Sequence, residues 1–400
     1  MSKGRLILLT AILGLMSTLP PVAVDPFIAS MPNIAEGLGT TPNAVALSLA
    51  TLMAGNAIGQ LFHGPLADRY GRKPTAIALL AVYALAALSA AFSPTIEFLL
   101  AVRFVQGLAQ AGGRIVASAI ARDLFERERL SKMLSDIAMV MSLTTIFGPI
   151  VGGYIAQYLP WQAAFGFMVL YGVTVMALVI LFYSETVARK DTMALSPNIL
   201  ISNFAAVGRN RIFLRYVFCS AFTMGGFSTF LAISAPLLIG YFGVEPRTFG
   251  FSLSAILVSF FIGSIVSSRL VVRKGINWVI ALGSLFSVSG GISLLILELS
   301  GISMPLSVIL PMCAYMFGMA LIFPQASAGA LQPFGAIAGV ASSLIGFVQN
   351  AMTAVAMTVI GLIPLTSPLP MAIGVAGMAL CSLAIYLFSI RPNASSGTAA

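Results

Sequence analysis

Long apolar segments alternate with short polar ones along almost the whole chain. An α-helix needs about 20 apolar residues to cross the hydrocarbon core of a bilayer. This pattern predicts twelve spans, over residues 6–31, 43–63, 75–93, 98–121, 133–157, 163–184, 212–240, 248–268, 276–297, 304–325, 338–362 and 369–390. The sequence therefore predicts an all-α polytopic membrane protein with 12 transmembrane helices.

Composition supports this class and excludes an ordinary soluble domain. Of the 400 residues 59% are hydrophobic and 8% are charged, whereas soluble proteins carry about 25% charged residues. The net charge of +9 does not indicate a nucleic-acid partner, since the basic residues lie in short loops beside the spans. The three cysteines lie singly in separate apolar segments, so neither a disulfide framework nor a metal site is predicted.

Basic residues are concentrated in alternate connections. Arginines and lysines cluster before span one and after spans two, four, six, eight and twelve, while the opposite loops contain only Arg247 beside several acids. By the positive-inside rule both termini are expected in the cytoplasm, with the chain in a bacterial cytoplasmic (inner) membrane.

The chain divides at one long polar stretch. We predict a six-helix bundle over residues 1–184, a cytoplasmic linker over 185–211, a second six-helix bundle over 212–391 and a disordered tail over 392–400. A weak internal repeat supports two pseudo-symmetric halves, because GPLADRYGRK follows span two and SRLVVRKG follows span eight.

Span four contains an unusual polar stripe. At 100° per residue Arg103, Gln110 and Arg114 fall within about 20° of one line, with Gln106 beside it. Because an arginine in hydrocarbon costs roughly 3 kcal/mol, the stripe is expected to face the bundle interior or a wet cavity. A functional role is predicted, and the alternative is a structural arginine that bonds neighbouring carbonyls.

Asp25 is the one acid predicted well inside a span of the first half, at a depth similar to that of Arg103. An intramembrane acid beside a guanidinium can gain and lose a proton as its surroundings change. We predict that Asp25 and Arg103 couple transport to protons. The alternative is a constitutive structural ion pair.

Other polar side chains of the first half are candidates for substrate binding or for a gate. Asn56 and Gln60 lie one turn apart and are candidate substrate ligands, as are Gln106 and Gln110 of the stripe. The single histidine, His63, is expected to pack at the cytoplasmic edge of span two. Arg114 is predicted either to pair with Asp136 as a gate or to bind an anionic group of the substrate.

The second half has no acid in mid-span. We therefore predict that it contributes to the shape of the substrate site and not to proton coupling. Aromatic rings and amides there are candidate substrate contacts, chiefly Phe222, Phe230, Tyr315 and Asn350. Phe260 and Phe261 belong to the same set of rings.

Three motifs resemble those of the major facilitator superfamily. In GPLADRYGRKP at 64–74, Asp68, Arg69, Gly71 and Arg72 match the loop signature that helps to close the inward face in that family. Arg103-x-x-Gln106-Gly107 is similar to the family's fourth-helix motif, whose arginine is associated with proton coupling. The string at 148–153, containing Gly148, Pro149, Gly152 and Gly153, resembles the motif of drug:proton antiporters.

Within that superfamily the chain resembles the Bcr/CflA group of twelve-span drug exporters. The resemblance rests on DPFIASMP at 25–32, Gly59-Gln60, Arg122-Asp123, Glu185-Thr186 and Ala235-Pro236. Phe27 and Ala29 depart from the pattern of that group.

The resemblance implies a proton-coupled antiporter that exports small amphipathic compounds by alternating access. A rival is export of an endogenous metabolite, including an anionic one, such as a siderophore, amino acid or nucleobase derivative. Import by symport is a third possibility, but the glycine motif at 148–153 favours an exporter. No enzyme is expected, because the spans offer no catalytic cluster. The expected partners are a small-molecule substrate and the lipid bilayer, the coupling ion is a proton without any other cofactor, and the chain is expected to be a monomer.

Overall fold

The computed structural model describes residues 3–187, 190–191, 195–365 and 367–388, and every regular element in these ranges is helical. The predicted tail at 392–400 lies outside the described residues. The first half contains α1 Lys3–Ser17, α2 Leu19–Gly37, α3 Pro42–Tyr70, α4 Arg72–Ala91, α5 Ile96–Leu124, α6 Arg127–Tyr158 and α7 Gln162–Phe182.

The second half begins after a short helix within the predicted linker. This helix is α8 Pro197–Gly208, which the apolar pattern did not predict. The half itself contains α9 Arg211–Ala235 with a π-helical extension Pro236–Tyr241, α10 Pro246–Lys274, α11 Ile276–Leu299, α12 Pro305–Leu331 with a 3₁₀ segment Gln332–Ile337, α13 Ala338–Gly361 and α14 Leu369–Phe388.

The first predicted span is a bent pair of helices. α1 and α2 meet at Thr18 with an angle of 50° between them. Pro20 and Pro21 follow the bend and have no N–H to donate to the preceding turn, so the helix cannot continue straight. At the bend the hydroxyl of Tyr171 of α7 donates to the Leu15 carbonyl at 2.9 Å.

The predicted twelve spans correspond to this bent pair, to ten other helices and to α5. In the described part of the chain ten helices are long and apolar enough to cross a membrane, and the bent pair makes eleven. α5 has 29 residues, about 43 Å at 1.5 Å per residue. Its arginines and glutamines lower its mean hydropathy, so α5 is not one of those ten helices. Contacts with the neighbouring helices hold it in the bundle.

Glycines let α5 approach α3 closely. A Cβ on Gly107 of α5 would overlap the Leu52 carbonyl of α3, and a Cβ on Gly55 of α3 would overlap the Phe104 carbonyl of α5. Small residues at such contacts allow the two backbones to touch. The polar side chains of α5 are thereby fixed in the interior of the first half.

The two halves meet along two helix pairs, α3 with α13 and α6 with α10. We call the end of the bundle that carries Arg72 and Lys274 the basic side, and the other end the opposite side. On the opposite side Asn43 of α3 donates to the carbonyls of Gly361 and Ile363 after α13. At mid-depth Ser254 of α10 donates to a carbonyl of α6. Toward the basic side α6 and α10 separate around a cavity.

Candidate functional site

The Asp25 carboxyl group lies inside the first half and faces α6. Asp25 is 6% exposed, and its Oδ2 is buried with no hydrogen-bond partner among the described residues. A Cβ on Gly148 of α6 would overlap this carboxyl group. One turn later a Cβ on Gly152 would lie 2.7 Å from the Asp25 carbonyl oxygen. The predicted intramembrane acid is therefore packed directly against the glycine motif.

The same motif contacts the second half on its other face. A Cβ on Gly153 would lie 2.6 Å from the Pro246 carbonyl oxygen at the start of α10. Gly250 of α10 approaches the Pro149 carbonyl so closely that any Cβ there would overlap it. α6 thus joins the buried carboxyl group to the boundary between the halves through contacts that leave no room for side chains.

Arg103 is held by a backbone carbonyl, an amide and an aromatic ring. Its side chain is fully buried. Nη1 donates to Gln106 Oε1 at 2.8 Å, Nη2 donates to the Ala23 carbonyl of α2 at 3.0 Å, and the guanidinium lies 4.4 Å from the centroid of the Phe27 ring. The arrangement matches the alternative of a structural arginine, and the predicted role in proton coupling stays a prediction.

Asp25 and Arg103 do not form an ion pair in this conformation. Arg103 binds α2 two residues before Asp25, whereas the Asp25 side chain turns toward α6. A constitutive pair is therefore wrong. Ion pairs among the described residues include Arg72 with Asp68, Arg72 with Asp123 and Arg247 with Glu245.

A cavity of about 670 Å³ lies between the halves toward the basic side. It is lined by Arg114, Ser118 and Arg122 of α5, by Leu134, Ile137, Ala138, Met141, Ser142, Thr145 and Ile146 of α6, and by Leu257, Phe260, Phe261, Ser264, Ile265 and Ser268 of α10. On α6 and α10 these positions recur at the three- and four-residue spacing of one helical face. This spacing was visible in the sequence, but the hydroxyl groups of Ser142, Thr145, Ser264 and Ser268 were missed.

The polar stripe of α5 divides between two environments. Gln106 and Gln110 are fully buried in the first half, and the amide of Gln110 has no partner among the described residues. Arg114 instead faces the cavity. Asp136 is half-buried and does not line the cavity, and it forms no ion pair with Arg114 in this conformation.

The loop motif forms a charge network on the basic side. Arg72 Nε lies 3.0 Å from Asp123 Oδ2, and the same guanidinium contacts Asp68. Gly71 has φ +107°, a conformation that strains any residue with a Cβ. Arg69 lies outside this network, over the ring of Tyr70.

Glu185 caps the helix that follows this turn. Its carboxylate accepts the backbone N–H groups of Arg72 and Lys73 at 3.1 Å each, as well as those of Thr186 and Val187. Burial raises the pKa of the Glu185 carboxyl group, but these backbone donors stabilise the ionised form and lower the pKa overall. The start of the predicted linker is thereby fixed to α4.

The predicted amide ligands do not line the cavity. Gln60 Nε2 donates to Asn56 Oδ1 at 3.2 Å, and Gln60 also packs against Gly346 of α13. Asn350 donates to the Gly346 carbonyl of its own helix at 2.8 Å. These amides therefore lie along the α3–α13 contact between the halves.

The aromatic residues predicted in α9 and α12 are also absent from the cavity lining. Phe230 is fully buried in the core, and Phe222 is half-buried. Tyr315 is fully buried and its hydroxyl donates to the Thr223 carbonyl at 2.8 Å. Tyr315 thus joins α12 to α9.

His63 packs within the bundle, and α3 continues beyond it to Tyr70. It is 5% exposed, and its ring lies against Gly112 of α5. The expected packing role agrees with these contacts, and the expected position at the membrane edge stays a prediction.

Two helical bundles that meet on one side and enclose a cavity on the other define a membrane transporter with a repeat architecture. The chain belongs to the Major Facilitator Superfamily, whose family model matches residues 6–357. It is a multi-pass membrane protein.

Comparisons with individual proteins agree with the predicted group. The bicyclomycin resistance protein homolog of Haemophilus influenzae is 31% identical over 385 residues, which is 96% of each chain. The multidrug resistance protein MdtL of Shewanella oneidensis is 28% identical over 87% of each chain. The crystal structure of a D-xylose-proton symporter matches with a TM-score of 0.77 over 98% of each chain at 14% identity, which shows the shared fold. The predicted resemblance to the Bcr/CflA group is confirmed.

We predict that Glu185→Gln lowers stability at neutral pH. The neutral amide weakens the cap on α4, which is worth about 1 kcal/mol, so the melting temperature in detergent should fall by roughly 1 to 2 °C at pH 7. Because folding lowers the pKa of Glu185, its contribution is present above the unfolded value of about 4.3 and is lost as the pH falls through the folded value. The difference between the proteins should therefore shrink near pH 4. Glu36→Gln, at an exposed carboxylate, is the control; an equal shift in both variants would contradict the cap.

We also predict that Gly148→Ala destabilises the first half through its contact with Asp25. Overpacking of this kind costs about 1–3 kcal/mol. Thermal unfolding of the purified protein in detergent measures the effect. The matched control is Gly166→Ala in α7, because a Cβ there would meet no atom within 4 Å.

A double variant separates this contact from a general helix effect. Asp25→Ala removes the carboxyl oxygens that the new Cβ would overlap, so the cost of Gly148→Ala should be smaller in that background. Purely additive effects of the two substitutions would show that the proposed contact does not determine the cost.

Proposed function

We propose that the protein is a proton-coupled antiporter that exports small amphipathic compounds, including drugs or antibiotics, by alternating access of its two halves. The relatives named for bicyclomycin and multidrug resistance support this function. The side of the cavity agrees with it, since an exporter takes its cargo from the side that its basic loops place in the cytoplasm.

The observation that carries the proposal is the chain of contacts from Asp25 through α6 to α10. Asp25 packs on two glycines of α6, and the other face of the same motif packs on Pro246 and Gly250 of α10. Ionising Asp25 in place leaves a buried charge without a partner, at a cost of several kcal/mol. Loss of the proton therefore favours movement of α6, and such movement changes the boundary between the halves.

Topology completes the proposed cycle. We place the basic side and both termini in the cytoplasm of a bacterium, with the chain in the inner membrane. Cargo enters the cavity from that side, and Asp25 takes up a proton when the opposite side opens. A monomer suffices for this cycle, because the cavity and the acid lie in one chain.

We predict that Asp25→Asn abolishes transport driven by a pH gradient while leaving the fold intact. The amide is nearly isosteric and removes the titratable group, and Oδ2 accepts no hydrogen bond from the described residues that the substitution would break. The measurement is proton flux in proteoliposomes on addition of bicyclomycin, ethidium or naphthalene-2-sulfonate, which represent neutral, cationic and anionic cargo.

The control for this experiment is Glu97→Gln, which removes an exposed carboxylate from the first turn of α5. It should retain wild-type proton flux. Uphill extrusion by Asp25→Asn at normal abundance would exclude the proposed coupling, and proton flux in the same direction as the cargo would indicate symport.

A further inference from the structure

The described wall of the cavity between the halves carries positive charge. Among the described residues, Arg114 and Arg122 are the charged side chains that line it, and no described acid does so. Asp136 of α6 is the acid next to a lining position, and it forms no ion pair with either arginine among the described residues. The wall contributed by α10 has hydroxyl and apolar groups but no charge.

Arg114 differs from Arg103, the other arginine in the interior of α5. Arg103 is fully buried, and its Nη1 and Nη2 donate to an amide and a carbonyl while its guanidinium lies over the Phe27 ring. Arg114 has no hydrogen bond, ion pair or ring contact among the described residues and points into the cavity. A guanidinium in a membrane span is costly unless it is paired or hydrated. The two terminal nitrogens of Arg103 are bonded within the protein, whereas the donors of Arg114 are free for a ligand.

The rest of the wall suits an amphipathic molecule. Phe260 and Phe261 of α10 offer ring surface, and Ser142 and Thr145 of α6 offer hydroxyl groups. The volume of about 670 Å³ is within the range of about 300–1,000 Å³ that holds drug-sized ligands. Apolar walls with a few convergent polar groups are typical of such sites.

We propose that this cavity binds the anionic group of an amphipathic molecule, with the Arg114 guanidinium as its direct partner. The proposal rests on the proposed transport function only in treating the cavity as the cargo site. A guanidinium forms paired, charge-assisted hydrogen bonds with carboxylate, sulfonate or phosphate oxygens. Arg122, in the last turn of α5, adds positive charge at the basic side and attracts such groups into the cavity.

The test compares two ligands of nearly equal shape and different charge. Naphthalene-2-sulfonate is an anion, and naphthalene-2-sulfonamide is neutral. Binding of each to the full chain in nanodiscs of phosphatidylcholine is measured by calorimetry. We expect the sulfonate to bind at least about tenfold more tightly than the sulfonamide, because only the anion forms charge-assisted hydrogen bonds.

Variants assign the preference to Arg114. Arg114→Gln should bring the two affinities within about twofold, and Arg114→Lys should retain part of the preference because it retains the charge. Arg209→Gln, which removes an exposed arginine after α8, should leave both affinities unchanged. Equal binding of the two ligands to the wild type, or a full preference in folded Arg114→Gln, would overturn the proposal. If Arg114→Gln does not fold, the lysine variant and the wild-type comparison still decide.

A second set of nanodiscs distinguishes a free anion from a lipid headgroup. If anionic phosphatidylglycerol weakens sulfonate binding to the wild type but not to Arg114→Gln, the headgroup occupies the same anion site. If it has no effect, the site takes soluble anions. Both results support an anion site, whereas competition that is the same in both proteins contradicts the role of Arg114.

Failure of this proposal and failure of the transport proposal give different results. If bicyclomycin or ethidium elicits proton flux and the sulfonate is not preferred, the antiporter proposal is supported and the anion site is excluded. If the sulfonate preference depends on Arg114 but no cargo elicits proton flux, the anion site is supported and proton coupling is excluded.

Discussion

The Asp25 carboxyl group in the interior of the first half, whose Oδ2 has no hydrogen-bond partner among the described residues, is the constraint on which the rest of the structure depends. Burying an unpaired charge is expensive, so the ionised form of Asp25 and the present packing of α6 are poorly compatible. The protein does not relieve this with the nearby guanidinium, which a carbonyl of α2 and an amide of α5 already occupy. The protonation of one group and the position of one helix are therefore linked.

Glycines make that link mechanically direct. Where α6 meets α2 and α10, backbone touches backbone or carboxyl group without an intervening side chain. No flexible side chain at these contacts can change its rotamer to accommodate a displacement. A shift of α6 therefore also moves the backbone of α2 or α10. The α3–α5 contact uses the same device through Gly55 and Gly107, and it keeps the polar residues of α5 in register with the interior.

Much of the fold could be predicted because spans, loop charges and motifs are local properties of the sequence. The similar depth of Asp25 and Arg103 followed from counting residues, but the direction in which each side chain points depends on neighbouring helices. The same limit applies to the polar stripe of α5. Helical periodicity placed Arg103 and Arg114 on one line, yet α2 and Phe27 enclose the first, while the gap between α6 and α10 leaves the second open.

The hydrogen bonds of Asn43 have a thermodynamic consequence. This amide donates to the carbonyls of Gly361 and Ile363 at the far end of α13 and so fastens the two halves together there. Separating the halves at that end gives up both bonds, at about 1 kcal/mol each. These two bonds contribute about thirtyfold in favour of the present conformation, so a conformation that is open at that end has to replace them with other contacts.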